Sequence, residues 1–314
     1  MALLYTDPRF LEHRTGQHPE SPERLRYLSE YLAKTDLLTK FVKPEVLPAT
    51  REQLERIHTK NHVAEIEQFA ADGGGQIETD TTMSARSFEV ACLAAGTGIS
   101  AVEKVLAGEA KRAVCLVRPP GHHALPTHPM GFCLFNNVAI AAAHARTKGI
   151  ERVLIVDWDV HHGNGTQDIF YRDGNVFFLS VHRYPFYPGT GAANETGEGA
   201  GVGTIFNLPL RFGIRRSEFI SAFESLLEDA VKKAKPELVL LSAGFDAHAA
   251  DPVGSLGLET EDYEPLTSLV LDIADEYAKG RCISFLEGGY NVAKLAESIE
   301  CHLQTVLKRE KTKS

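Results

Sequence analysis

The chain is 314 residues long, and its 42 acidic against 33 basic side chains give a formal charge of −9. That balance offers no general attraction to a nucleic-acid backbone, and no apolar run approaches the roughly 18 residues that a membrane-crossing helix needs. Apolar residues at 43% and charged residues at 24% describe an ordinary globular composition.

In chain order, the opening "MALLYTDPRF" turns polar too soon for a secretion signal. Five cysteines (Cys92, Cys115, Cys133, Cys282 and Cys301) are odd in number, widely spaced and without a C-x-x-C pair. Free thiols in a reducing compartment explain them better than disulfides, so the expected location is the cytoplasm. Cys133 reads as a small buried thiol. Short apolar runs predict strands over 3–6, 113–117, 153–157, 176–181, 205–208, 238–242 and 282–286. Helical patterns predict helices over 22–34, 62–71, 85–106, 138–148, 217–234, 261–279 and 293–308. Ser21 and Thr260 are the expected caps of two of these helices, and the basic tail over about 308–314 is expected to fray. Strands alternating with long amphipathic helices predict one α/β domain with a mostly parallel sheet covered on both faces.

Five polar clusters share an address. "RPPGHH", "DWDVHHGN", "HRYPFYPG", "AGFDAH" and "EGGY" each follow a predicted strand. In a parallel sheet such loops converge at the carboxyl ends of the strands, where open α/β sheets bind ligands. Asp159 and His161 stand two apart and point to one side of an extended segment. Asp246 can join them from another strand end. Two carboxylates and an imidazole form a three-ligand set with room for water, as in catalytic zinc centres; the plain alternative is a hydrogen-bonded Asp–His network. His122 and His123 suit proton transfer, and Tyr290 suits donation to an oxyanion. Read alone, the histidines are as well a tandem pair on a surface loop, and the tyrosine reads better as a packed side chain. The glycine-rich "GTGAANETGEGAGVG" leads into a strand and carries two glutamates, so it reads as a mobile loop and not a phosphate cradle.

Together, "HPESPERL", "RPPGHHA", "GFCLFNNVAIAA", "VLIVDWDVHHGNGTQ", "LSVHRY", "LLSAGFDAHAADPVG" and "FLEGGY" resemble the zinc-dependent histone deacetylases of the arginase–deacetylase superfamily. The resemblance runs over nearly the whole chain, and Asn164 in "DWDVHHGNG" is similar to the class II, bacterial amidohydrolase-like branch. It implies a single-domain α/β fold with a central, mainly parallel, eight-stranded sheet. It assigns Zn²⁺ to Asp159, His161 and Asp246, although N/O ligands also accept iron. His122 pairs with Asp157, His123 acts as general base and acid beside Asn164, and Tyr290 polarises the acyl carbonyl. The resemblance also implies a tunnel walled by Phe132 and Tyr187 with Gly131 and Val253 beside it. Tyr187 departs from the family's usual phenylalanine. Asp80 is implied as a rim aspartate and Arg24 as the arginine beneath the site, whose plain alternative is a helix-face pair with Glu20. A potassium ion is implied at Asp157, Asp159, His161, Ser180 and Val181.

The expected substrate is an N-ε-acyl-lysine peptide or protein, because Val253 stands where acetylpolyamine-selective relatives carry a glutamate. An acetylpolyamine deacetylase is the alternative. An arginase-like dinuclear manganese hydrolase fits less well, since His248 occupies the position where a second bridging carboxylate belongs. A non-catalytic acyl-lysine reader would not need all six functional groups. Homo-oligomerisation is left open.

Overall fold

The computed structural model describes residues 2–311. The strands are β1 (Leu3–Tyr5), β2 (Gly74–Glu78), β3 (Thr81–Ser84), β4 (Arg112–Cys115), β5 (Val153–Asp157), β6 (Val176–Arg183), β7 (Ile205–Leu210), β8 (Leu238–Ala243) and β9 (Cys282–Leu286). The α-helices are α1 (Glu23–Leu32), α2 (Arg51–Leu54), α3 (Lys60–Ala71), α4 (Ser87–Leu106), α5 (Asn137–Thr147), α6 (Asn164–Phe170), α7 (Arg216–Ala234), α8 (Tyr263–Tyr277) and α9 (Val292–Lys311).

Seven strands form the central sheet in the order β1-β4-β9-β8-β5-β6-β7, and every pairing in it is parallel. Every residue of β4, β5, β8 and β9 is buried, which is why these strands read as mainly apolar runs without regular polar alternation. Helices α4 and α5 pack on β4, β9 and β8, while α7 and α8 pack on β5 to β8. This is the single-domain α/β architecture that the residues predict.

The structure adds to the sequence expectations at several points and corrects the strand count. The eighth strand is reduced to one isolated bridge, Val42 beside Leu3 on the free edge of β1; Pro44, two residues on, cannot donate to a ladder. The antiparallel hairpin β2–β3 was not predicted. The tail is helical as far as Lys311, with Lys308 paired to Glu264 and Arg309 to Asp272; residues 312–314 of the expected frayed tail lie outside the described residues. The caps also differ. Pro22 precedes α1 without a side-chain cap, and Glu259, bridged back by Asp262, starts the turn where Thr260 was expected to.

The sheet order contains one reversal. From β5 the chain moves outward through β6 and β7, then returns to the other side of β5 with β8 and continues through β9. The crevice at the carboxyl ends of β5 and β8 is therefore the topological switch point, the usual ligand site of an open α/β sheet. Asp157 and Ser242 are register partners across it.

Candidate active site

Asp159 and His161 leave the end of β5, and Asp246 leaves the end of β8, so the switch point brings them together. All three are buried, and their ligand atoms lie within 4.8 Å of one another. His161 Nδ1 is 3.0 Å from Asp159 Oδ1 and 3.1 Å from Asp246 Oδ2. Backbone groups orient the carboxylates: Gly288 N–H donates to Asp159 Oδ2 at 2.8 Å, and Val160 N–H to Asp246 Oδ1 at 2.9 Å. A Cβ on Gly288 would collide with both carboxylates, which explains a glycine at the close approach of β9.

The electrostatics mark this spot for a cation. Burial and the Asp159 charge raise the Asp246 carboxyl to about 7. Burial disfavours charge on His161, but Asp159 and Asp246 outweigh it and lift the imidazole to about 10. A proton held between two buried carboxylates stands where a metal ion would satisfy all three groups. The N/O donor set fits a divalent transition metal.

Beside the trio, His122 Nδ1 lies 2.9 Å from Asp157 Oδ2, and His122 Nε2 lies 3.9 Å from Asp159 Oδ1. Burial opposes its protonation, but Asp157 and Asp159 raise it to about 10. Burial raises the Asp157 carboxyl, and His122 opposes the rise. His123 behaves in the opposite way: burial, then the neighbouring His122 and His161, hold it well below the usual histidine range. Its Nδ1 is 2.7 Å from Asn164 Oδ1. Because that oxygen only accepts, Nδ1 carries the proton and Nε2 is left as the acceptor. Two adjacent imidazoles are thus pushed to opposite protonation states, the usual mark of separate acid–base duties.

A pocket of about 220 Å³ leads to these groups, lined by Asp80, His123, Gly131, Phe132, His161, Phe186, Tyr187, Val253 and Tyr290. Phe132 has φ +70° and meets the Tyr290 ring edge-on at 5.7 Å. Its loop is held by Gly131 N–H to Asp80 Oδ1 at 3.1 Å and Phe132 N–H to Thr81 Oγ1 at 3.1 Å. Gly131 has φ +56°, and a Cβ there would strike the His123 ring. Tyr187 packs edge-on against His123 and His161. Its hydroxyl is buried without a hydrogen-bond partner; burial and then the nearby Asp80 carboxylate raise its pKa, although no bond of normal geometry joins the two. Tyr290 donates its backbone N–H to Asp251 at 2.7 Å, and burial raises its phenol well above the usual range.

Arg24 is fully buried under this floor. It pairs with Glu20 at 3.2 Å as the plain reading held, and its guanidinium also reaches Gly289 O at 2.7 Å and lies 5.0 Å from the Tyr290 ring centroid. Ser180 and Val181 are buried on β6, with Ser180 in register with Asp157 and its hydroxyl 3.0 Å from His182. Cys133 is a buried thiol whose pKa burial pushes up. His248 hydrogen-bonds Thr260, and among the described residues the one three-ligand group is Asp159, His161 and Asp246.

Some participants escaped the sequence reading. Phe186 stacks on His161 at 5.3 Å. Asp251 accepts the backbone N–H groups of Val253, Gly254, Tyr290 and Asn291, tying two pocket loops together. Glu287 accepts from the turn that carries His122. The glycine-rich stretch is tied down where a mobile loop was expected: Glu195 takes Gly191 N–H, Ala192 N–H and the Gln167 amide, and Gln167 in turn meets His162.

A family described as Histone deacetylase domain matches residues 18–306. The chain belongs to the histone deacetylase family. This deacetylase-family chain is 39% identical over 278 residues to the histone deacetylase-like amidohydrolase of Pseudomonas aeruginosa, covering 88% of itself and 73% of that protein. It is 38% identical over 320 residues to rice (Oryza sativa subsp. japonica) histone deacetylase 10, chloroplastic, covering 95% of itself and 71% of the relative. A probable deacetylase of Archaeoglobus fulgidus is 38% identical over 286 residues, 90% of this chain and 79% of the other. Among solved structures, the HDA15 HD domain superposes with a TM-score of 0.93 at 36% identity, covering 98% of this chain and 89% of that one. The protein is accordingly a hydrolase acting on amides. No helix among its described residues is long and apolar enough to cross a membrane.

Proposed function

We propose that this histone deacetylase-family protein is a zinc-dependent deacylase of N-ε-acyl-lysine in peptides or proteins, with the described chain acting as one catalytic domain of the class II type. The observation that carries the reading is the buried Asp159–His161–Asp246 trio at the floor of an aromatic pocket, beside His122 held on Asp157 and His123 held on Asn164. Asp159, His161 and Asp246 would hold the zinc, which when bound supplies Lewis acidity that makes a water molecule a better nucleophile. Iron(II) would satisfy the same donors.

The chain's own groups do the rest. His123 Nε2, kept free by the Asn164 contact, takes a proton from the attacking water and returns it to the leaving lysine amine. His122 keeps its proton against Asp157 and lends positive charge to the site. The Tyr290 hydroxyl donates to the carbonyl oxygen as negative charge develops there. Phe132 and Tyr187 flank the alkyl stem, and Asp80 receives the substrate backbone at the mouth. Asp157, Asp159, His161, Ser180 and Val181 are the groups for a structural potassium ion. We assign the protein to the cytoplasm, without a nucleic-acid or membrane partner.

Val253 puts no charge on the pocket wall, which supports acyl-lysine over an acetylpolyamine. The Asp80 carboxylate is the one lining feature that favours the polyamine. Comparing kcat/KM for an acetyl-lysine peptide and N8-acetylspermidine decides between them. Acyl-lysine should win; a tenfold preference for the polyamine, about 1.4 kcal/mol in transition-state binding, would overturn the assignment.

A further inference from the structure

The turn that presents His122 and His123 has no regular secondary structure of its own, yet it is buried. Its backbone polar groups must therefore find partners elsewhere. Asn137 Nδ2 donates to Pro119 O at 3.1 Å, and Thr166 N–H donates to His122 O at 3.1 Å. The remaining N–H groups of Gly121 and His122 both point at one atom, Oε2 of Glu287, at 2.7 and 3.2 Å.

Glu287 is fully buried, one residue past the end of β9. Its other carboxyl oxygen accepts from Ser242 Oγ at 3.2 Å. Its backbone is fixed from both sides: its N–H donates to Ala243 O at 3.1 Å, and Arg24 donates to its carbonyl at 2.5 Å. The next residue, Gly288, donates to the ligand carboxylate of Asp159 at 2.8 Å. The end of β9 thus holds the metal-ligand side with one residue and the histidine turn with the one before it. Gly121 is wedged between this carboxylate and the start of α5, where a Cβ would strike Asn137 N.

We propose that Glu287 is a positioning residue for catalysis: by accepting the Gly121 and His122 N–H groups it sets the distance of the two histidines from the reacting amide, through reach and hydrogen-bond acceptance and not through its charge. The proposal rests on the reading that His122 and His123 perform the proton transfers.

Two substitutions separate reach from charge. Glu287→Gln keeps the length and one acceptor oxygen for the two N–H groups, while its amide can donate to Ser242 Oγ; the charge is lost. Glu287→Asp keeps the charge and shortens the side chain by one methylene, so the contacts to Gly121 and His122 are lost. Each zinc-loaded variant, with His123→Ala alongside, is assayed on an acetyl-lysine peptide with its metal content measured. Partners that orient active-site groups are typically worth about 10- to 100-fold. Glu287→Asp should lose kcat by that order with KM within about twofold and one zinc per chain, whereas Glu287→Gln should stay within about fivefold of wild type. Glu287→Asp as active as Glu287→Gln or more so, a loss expressed in KM, or a loss that follows zinc content would each overturn the proposal. If His123→Ala keeps wild-type turnover, the catalytic reading fails instead; an inactive His123→Ala confines any failure to Glu287.

Discussion

The His123–Asn164 contact lends itself to a quantitative test, because replacing Asn164 by aspartate changes charge with almost no change of shape. The two side chains meet at 2.7 Å, so the amide oxygen already accepts the Nδ1 proton and no new hydrogen bond is created. What changes is one negative charge about 4 Å from the imidazole centre, worth about 4 kcal/mol at an effective dielectric of 20 as an upper bound. A carboxylate beside a cationic partner typically shifts a pKa by about 1–3 units, and the loss of water around His123 leaves little to screen it. At present burial and the charges on His122 and His161 hold His123 well below the ordinary histidine value. Asn164→Asp should raise it, since the charged form gains a partner. A base must be unprotonated to work, so the acidic limb of kcat/KM moves to higher pH by about 1–2 units. The assay is a pH–rate profile of wild type and variant, both zinc-loaded, on one acetyl-lysine peptide. The two imidazoles of His122 and His123 are in contact and influence each other's titration, and displacement of the acidic limb by that amount supports the contact. Profiles that superimpose within about 0.3 unit would refute it.

Tyr290→Phe removes a single donor and should lower kcat by roughly 100- to 1000-fold with metal content unchanged; activity within about twofold of wild type would reduce Tyr290 to packing. Tyr187→Phe deletes a buried hydroxyl that has no partner, and such a group is costly to bury, so KM for an acyl-lysine peptide should fall or hold. A tenfold rise in KM would show that the hydroxyl meets the substrate. His302 does not line the pocket; it packs against Trp158 and Phe245, between Thr267 at 2.8 Å and Ser284 at 3.0 Å, and burial lowers its pKa to about 4. The unfolded chain takes up that proton near 6.5 and the native one does not, so stability falls as pH drops from about 6.5 towards 4, by about 2 kcal/mol at pH 5. In urea denaturation, His302→Gln should shrink the difference between pH 7.5 and pH 5 by about that amount; an unaltered difference would contradict the buried neutral state.

Legibility in the sequence followed physical locality. The buried strands could be read because a strand covered on both faces is a continuous apolar run, as in Val153–Asp157. Asp159, His161, His122 and His123 could be read because each sits within a few residues of such a run. The β2–β3 hairpin was missed because Gly74 and Gly75, both at positive φ, and the mostly polar residues after them show no strand alternation. Helix α6 was missed because "NGTQDIF" begins with Asn and Gly, poor helix formers; it stands on tertiary support, with Thr166 N–H on His122 O. Glu287 and Asp251 were invisible for a different reason. Glu287 takes the Gly121 N–H from 166 residues away and Asp251 the Tyr290 N–H from 39 residues away, contacts that no local pattern records; the Asp251 bonds to Val253 and Gly254 are local. The eighth strand came from family resemblance alone, and here Pro44 cuts it to a bridge.

The most direct measurement is metal content against activity in the same preparation, for wild type and Asp246→Ala. Asp246 supplies one of three buried donors and approaches His161 at 3.1 Å, so its loss leaves two ligands on β5's loop alone. Wild type stripped of metal should be inactive and should recover hydrolysis of an acetyl-lysine peptide in step with zinc, reaching its maximum at one equivalent per chain. Asp246→Ala should retain neither zinc nor activity while staying folded by circular dichroism. Full activity in the stripped wild type, a second equivalent needed for turnover, or a metal-free Asp246→Ala that still hydrolyses the peptide would contradict a metal centre at the switch point.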